Sequence, residues 1–177
     1  MASDNPLQFY PTPKACVRRA WDAGIFTGAR SANTALDPCC GAGDLLRALP
    51  VTVRFGYEID PLRAAQASEA LGTYVTQCDA LTREWTDGPP VIMNPPFKGR
   101  SWHPWFERAT LRWSAWMLLP ATVLSCRKHV EKLRGCRLFL DPTRYKWNGK
   151  TAAPWGVVWV GCGELERREG GGTWRVI

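Results

Sequence analysis

The sequence is poor in histidine, has no paired cysteine motif and has no long apolar run, and each scarcity removes a class of protein. Its two histidines, His103 and His129, are not spaced as zinc ligands. The seven cysteines (Cys16, Cys39, Cys40, Cys78, Cys126, Cys136 and Cys162) are odd in number and contain no C-x-x-C pair. No structural metal is therefore expected, and the thiols read as reduced, mostly small packing residues. No apolar stretch approaches the roughly 20 residues that a membrane-spanning helix needs. Met1-Ala2-Ser3-Asp4-Asn5-Pro6 lacks the basic-then-apolar pattern of a signal peptide, so a cytoplasmic protein is expected. No internal repeat and no second domain is visible, and residues 1–177 are expected to form a single domain.

What is present is an ordinary globular composition, 45% hydrophobic and 22% charged, sufficient for one substantial core. The net charge of +7 and the pI near 9.2 point to an acidic partner, most simply a nucleic acid. The cations are concentrated after Phe97, from Lys98 and Arg100 through Arg127, Lys128, Arg144 and Lys146 to Lys150. A solvated basic face would by itself account for them. Ten tryptophans are many for this length. Base stacking is one use for aromatics in a basic half, but Trp102, Trp105, Trp113 and Trp116 read as core and helix packing rather than base platforms.

Apolar runs alternate with helical segments. Phe9-Tyr10-Pro11-Thr12-Pro13 opens the fold, with Thr12 a candidate cap for a helix from Pro13 to about Ala23. Gly24 to Asn33 reads as a loop. Strands follow at Thr34–Asp37, Val51–Glu58, Tyr74–Gln77 with Asp79 at its end, and Val91–Met93 leading into Asn94. Further strands are predicted at Ala115–Leu119, Cys136–Leu140 and Trp155–Val160, and Glu164 to Glu169 reads as a solvated strand or hairpin arm. A βαβ series implies a parallel sheet that brings Asp37, Glu58, Asp79 and Asn94 to its carboxyl edge, where ligands bind in such sheets. Three carboxylates on that rim suit hydroxyls, amines and a cation better than a phosphate. Pro38-Cys39-Cys40-Gly41-Ala42-Gly43-Asp44 is a glycine turn between strand and helix, and without a third glycine it does not support a dinucleotide site.

Asn94-Pro95-Pro96-Phe97 stands out at the end of the fourth strand. The prolines have no N–H to donate. Asn94 supplies a side-chain carbonyl and Phe97 an aromatic face. Two acceptors beside a flat apolar plate would grip and stack a planar amino group. Taken alone, the tetrapeptide fits a proline-terminated strand with a turn asparagine equally well.

Together these residues resemble the class I S-adenosylmethionine-dependent methyltransferases, and among them the amino-methyltransferases of adenine, especially short DNA adenine methylases of phages and prophages. Asn94-Pro95-Pro96-Phe97 matches their catalytic [DNS]-P-P-[FYW], and Asp37 to Gly43 matches D-x-x-x-G-x-G. Arg144 to Trp159 is similar to the C-terminal signature of the phage-type proteins. The resemblance implies an α/β, Rossmann-like domain with a mostly parallel seven-stranded sheet flanked by helices. It implies S-adenosyl-L-methionine as cofactor, held by Tyr10, Thr12, Asp37, Cys39, Gly41, Gly43, Glu58, Ile59, Asp79, Ala80 and Asn94. Glu58 would take the ribose hydroxyls, Asp79 the adenine amine with Ala80 and Leu81 near the ring, and Thr12 the methionine carboxylate. Asn94 and the Pro95 carbonyl would hold the target amine, with Pro96 and Phe97 completing the catalytic loop and Phe97 stacking on the base. Lys98, Arg100, Arg144, Lys146 and Lys150 would contact nucleic acid, DNA rather than RNA, in a bacterial or phage-infected cytoplasm.

The implied reaction is methylation of the adenine N6 amine. The chain is short for the family, so relaxed sequence preference or readout by the basic loops is expected. The rival readings are an RNA adenine or guanine amino-methyltransferase and a nucleic-acid-binding protein that keeps the fold without the activity. Phe97 and the basic surface argue against methylation of a protein glutamine.

Overall fold

The computed structural model describes residues 10–85, 88–97, 101–147, 153, 155–168 and 174–177. The expectations placed on Phe9, Lys98, Arg100, Asn148, Gly149, Lys150, Glu169 and the Gly170–Gly172 turn lie outside these residues.

In chain order the elements are α1 (Lys14–Asp22), α2 (Thr27–Ala32), β1 (Thr34–Asp37), α3 (Asp44–Ala48), β2 (Val53–Glu58), α4 (Pro61–Leu71), β3 (Thr76–Gln77) and β4 (Val91–Met93). They continue with α5 (His103–Ala109), β5 (Ala115–Pro120), a 3-10 turn (Ala121–Ser125), α6 (Arg127–Lys132), β6 (Arg137–Asp141), β7 (Val157–Gly161), α7 (Glu164–Arg168) and β8 (Trp174–Val176). The strands form one sheet in the order β3-β2-β1-β4-β5-β7-β6-β8. All pairings are parallel except those of β7, which runs antiparallel to both β5 and β6. The mostly parallel α/β architecture is as the sequence predicts, and among the described residues the sheet has eight strands rather than seven; the closing Trp174–Val176 pairs with β6.

Both faces of the sheet are covered, which is why its central strands read as unbroken apolar runs. The pleat sends alternate side chains to opposite layers. Ala115, Met117 and Leu119 of β5 join one layer with Trp102 and Phe106 of the α5 region, while Trp116 and Leu118 join the layer under α1, α2 and α3. The strand order reverses between β1 and β4, and that junction opens the crevice used by ligands in open α/β sheets.

Three local expectations are corrected. Gly24 to Asn33 is not a loop, because Thr27–Ala32 is helical and ends on Asn33 in a left-handed conformation (φ 51°). Buried Ile25 and Phe26 anchor its start, and Gly28 is a contact rather than a stop: a Cβ there would lie 2.4 Å from Ser114 Oγ. The charged run after Gly163 is helix α7, not a solvated strand. Its Glu166 turns inward and accepts from Ser114 Oγ (2.6 Å) and Ala115 N–H (3.1 Å). Finally, Pro13 and not Thr12 occupies the N-cap of α1, with no side-chain cap. The Thr12 hydroxyl is engaged elsewhere. Trp102, Trp105 and Trp116 are buried as expected, and Trp113 is partly exposed with its indole N–H donating to the Gly88 carbonyl at 2.7 Å. All seven cysteines are free thiols. Among the described residues no helix is long and apolar enough to cross a membrane.

Candidate active site

The carboxyl ends of β1, β2, β3 and β4 converge on a cavity of about 350 Å³. Its walls include Tyr10, Thr12, Asp37, Cys39, Gly41, Glu58, Ile59, Asp79, Ala80, Leu81, Asn94 and Pro96. The size falls at the lower end of small-molecule sites, roughly 300–1,000 Å³.

Each acid is set by backbone N–H groups of the strand-end loops, Asp37 and Asp79 by the loop that follows them and Glu58 by its own loop and by that after β1. Asp37 ends β1 and is buried; its Oδ1 accepts from Cys39 N–H (3.0 Å) and from the Cys39 thiol (3.5 Å). Burial raises its carboxyl to about 7, Glu58 adds to the rise, and the Cys39 hydrogen bonds oppose it. Glu58 ends β2, with Oε2 accepting from Gly41 N–H (2.8 Å) and Oε1 from Asp60 N–H (3.0 Å). Asp79 lies two residues past the end of β3 and accepts from Leu81 N–H at 2.8 Å. These bonds leave further lone pairs on every carboxylate. Burial and the neighbouring Asp37 push the Cys39 and Cys40 thiols up, which keeps them protonated and unreactive beside the cavity.

Asn94, directly after β4, carries the arrangement that matters most. Its Nδ2 donates to the Tyr10 carbonyl (3.2 Å) and to Thr12 Oγ1 (3.1 Å). Its Oδ1 is buried and has no hydrogen-bond partner among the described residues. A buried carbonyl oxygen left without a donor is costly, and Asn94 is one of the residues that line the cavity. Phe97 packs against the core layer below it and stacks on Tyr10, with ring centroids 5.0 Å apart and planes inclined by 20°.

Not every expected residue reaches the cavity. Gly43 does not line it; Gly43 sits at the start of α3 with φ +83°, and a Cβ there would crowd Leu71 at 3.2 Å. It serves helix packing. Pro95 is buried, and neither it nor the half-buried Phe97 is among the residues that line the cavity. Arg144 and Lys146 are exposed and follow β6. That strand runs the same way as β5, both being antiparallel to β7, so the two cations lie at the same edge of the sheet as Asn94. Tyr145 between them is buried and donates to Asp141, which also pairs with Arg19 at 3.5 Å. Trp105 and Cys78, expected to serve packing, also line the cavity, as do Arg63, Asp44 and Ser101, which no sequence signal marks.

S-adenosylmethionine, the cofactor implied by the resemblance, can be tested against this wall. Its ribose diol and adenine amine need acceptors, its ring needs apolar neighbours, and its sulfonium and ammonium need a negative field. Glu58 and Asp79 keep lone pairs for the first, Ile59, Ala80 and Leu81 supply the second, and the buried Asp37 supplies the third. The residues present fit the group.

No known family profile matches the sequence, and no curated protein matches it. Solved structures do match in shape. A protein conjectured to be an RNA methyltransferase from Pyrococcus horikoshii superposes with a TM-score of 0.66 at 20% identity, over 88% of this chain and 84% of that one. A conjectured class I S-adenosylmethionine-dependent methyltransferase from Listeria monocytogenes gives 0.67 at 12% identity, over 99% of this chain and 67% of that one. The 23S rRNA methyltransferase ErmE gives 0.58 at 17% identity, over 86% and 68%. The fold of this chain is that of the Rossmann-like class I methyltransferases.

Proposed function

We propose that the protein is an S-adenosylmethionine-dependent methyltransferase that acts on an exocyclic amine of a nucleic-acid base, with the N6 amine of adenine in DNA as the favoured substrate. The observation that carries this reading is Asn94, whose buried Oδ1 is a carbonyl acceptor without a donor among the described residues, lining one cavity with Asp37, Glu58 and Asp79.

The cofactor supplies an electrophilic methyl group on a sulfonium. The protein's task is to present the amine. An aromatic amine is a poor nucleophile because its lone pair is delocalised into the ring. Asn94 Oδ1 accepts one amine hydrogen and the Pro95 carbonyl the other, which localises the lone pair on nitrogen and aims it. Both acceptors then stabilise the positive charge that grows on the amine hydrogens. Phe97 offers the stacking face. The remainder of the acceleration is positioning. A base inside a duplex cannot reach the cavity, so the substrate base is flipped out or single-stranded. Arg144 and Lys146, at the same edge, carry the phosphate backbone together with Lys98, Arg100 and Lys150 of the basic loops. Residues 1–177 act as one catalytic domain with relaxed sequence preference, since the basic loops are short for detailed base readout.

A second reading is an RNA amino-methyltransferase. It is favoured by the likeness in shape to proteins described as RNA methyltransferases. Incubating the protein with labelled cofactor and separate DNA and RNA pools, followed by mass spectrometry of the nucleosides, tests both. N6-methyladenine in the DNA pool is the expected result. Methylation confined to RNA selects the second reading, and label in neither pool rejects the proposal.

A further inference from the structure

The Asn94 carboxamide is pinned from one side only. Both hydrogens of its Nδ2 have an acceptor, the Tyr10 carbonyl at 3.2 Å and Thr12 Oγ1 at 3.1 Å. This fixes which end of the amide is which. Turned over, Asn94 Oδ1 would face the Tyr10 carbonyl oxygen, two acceptors with no proton between them. The oxygen is thereby turned away from Tyr10 and Thr12, and it is buried with no partner among the described residues, on a residue that lines the cavity.

Thr12 has more than one capacity. It is 7% exposed and lines the same cavity. A hydroxyl carries one hydrogen and two lone pairs, and the bond from Asn94 uses a lone pair. Its hydrogen therefore remains available to an anionic group in the cavity. A hydroxyl that donates to an anion becomes a better acceptor for the amide behind it.

We propose that Thr12 is a positioning residue for methyl transfer, holding the Asn94 carboxamide with Oδ1 toward the substrate amine while offering its own proton to the cofactor carboxylate. Donor occupancy and acceptor orientation are then linked through one hydroxyl. This rests on the amino-methyltransferase reading, but it makes a claim about the protein alone that can be read without turnover.

The test uses the full chain and Thr12→Val, Thr12→Ser and Thr12→Ala. The first readout is the Asn94 side-chain carboxamide resonance in ¹⁵N-labelled protein without cofactor, identified by its loss in Asn94→Asp. The resonance is expected to move in Thr12→Val and to return towards the wild-type position in Thr12→Ser. The second readout is kcat at saturating cofactor and nucleic acid. It is expected to fall about tenfold in Thr12→Val, the scale of one lost hydrogen bond, and to recover to within about threefold of wild type in Thr12→Ser. Thr12→Ala removes the hydroxyl without adding bulk and answers the question if the valine variant does not fold. An unmoved resonance overturns the proposal. So does a moved resonance with wild-type kcat and only a raised KM for cofactor, which is the pattern of simple ligand binding. If wild-type protein methylates neither DNA nor RNA, the proposed function fails, and the resonance alone then decides whether Thr12 holds Asn94.

Discussion

The Tyr10 ring lies on the Phe97 ring, centroids 5.0 Å apart and planes within 20° of parallel. Stacked rings sit at about this separation, so no third ring fits between them. Tyr10 thus covers the face that Phe97 would offer to a substrate base. Tyr10→Ala is therefore expected to bind a single-stranded oligonucleotide several-fold more tightly, on the order of one aromatic stacking contact. Phe97→Ala should bind about tenfold or more weakly, as losing a base–aromatic stack does. Fluorescence anisotropy with a labelled oligonucleotide reads both. Weaker binding by Tyr10→Ala would make Tyr10 a partner in the stack rather than its placeholder.

Asn94→Ala removes the cavity's unpaired carbonyl while leaving Asp37, Glu58 and Asp79 in place. Methyl transfer should fall by about a hundredfold or more, the scale of losing one positioned acceptor at a reacting centre, with cofactor affinity kept. Calorimetry and a labelled-methyl assay on the same sample separate the two. Unchanged turnover would falsify the amine-gripping mechanism.

Asp37 ties stability and binding to pH. Burial holds its carboxyl at about 7 in the folded protein, against about 4 in an unfolded chain. Between those values the native state keeps a proton that the unfolded state has lost, so this group's contribution falls as pH rises from about 4 to 7. Without ligand, Asp37→Asn should flatten the decline in Tm across that window relative to wild type. A cationic ligand next to Asp37 favours the carboxylate, so its binding should release a proton near pH 6.5. Calorimetry in buffers of different ionisation enthalpy measures that proton. Its absence in wild type, or its persistence in Asp37→Asn, refutes the assignment.

Glu166 makes a structural prediction at the opposite edge of the sheet. Burial raises its carboxyl, and Ser114 and Ala115 donate to it. Glu166→Ala leaves those donors buried without acceptors, at a cost of about 2–4 kcal/mol. Denaturant unfolding should show the loss, while the methyl-transfer rate of folded protein is retained. A loss below about 0.5 kcal/mol, the range of ordinary surface changes, would mean that α7 is not held by this residue.

The strand ends were legible because each follows a short apolar run and precedes a turn residue; Asp37, Glu58 and Asn94 fall where the pattern put them. Helix α2 was hidden because Gly24 and Gly28 look like stops, whereas Gly28 is there to let Ser114 approach. Helix α7 was hidden because a run of charges conceals the one acid that turns inward. Gly43 belongs to a ligand motif in sequence and to helix packing in space. Thr12 was misread most instructively. Before Pro13 it has the chemistry of a helix cap, and nothing local shows that its acceptor serves a residue 82 positions away. Sequence patterns reveal what a residue can do, and tertiary contact selects among those uses.

The bonds from Asn94 to Tyr10 and Thr12 span 84 and 82 residues. Contacts of that range carry a large loop-closure cost, and residues 10–12 precede the first helix and belong to no strand. Asp37 and Asp79 are held by N–H groups two residues on, and Glu58 by Asp60 N–H and, across 17 residues, by Gly41 N–H; none of these bonds involves residues 10–12. Lifting residues 10–12 away from β4 would leave the bonds that set Asp37, Glu58 and Asp79 in place, while removing together both acceptors of the Asn94 amide and the Tyr10–Thr12 wall of the cavity.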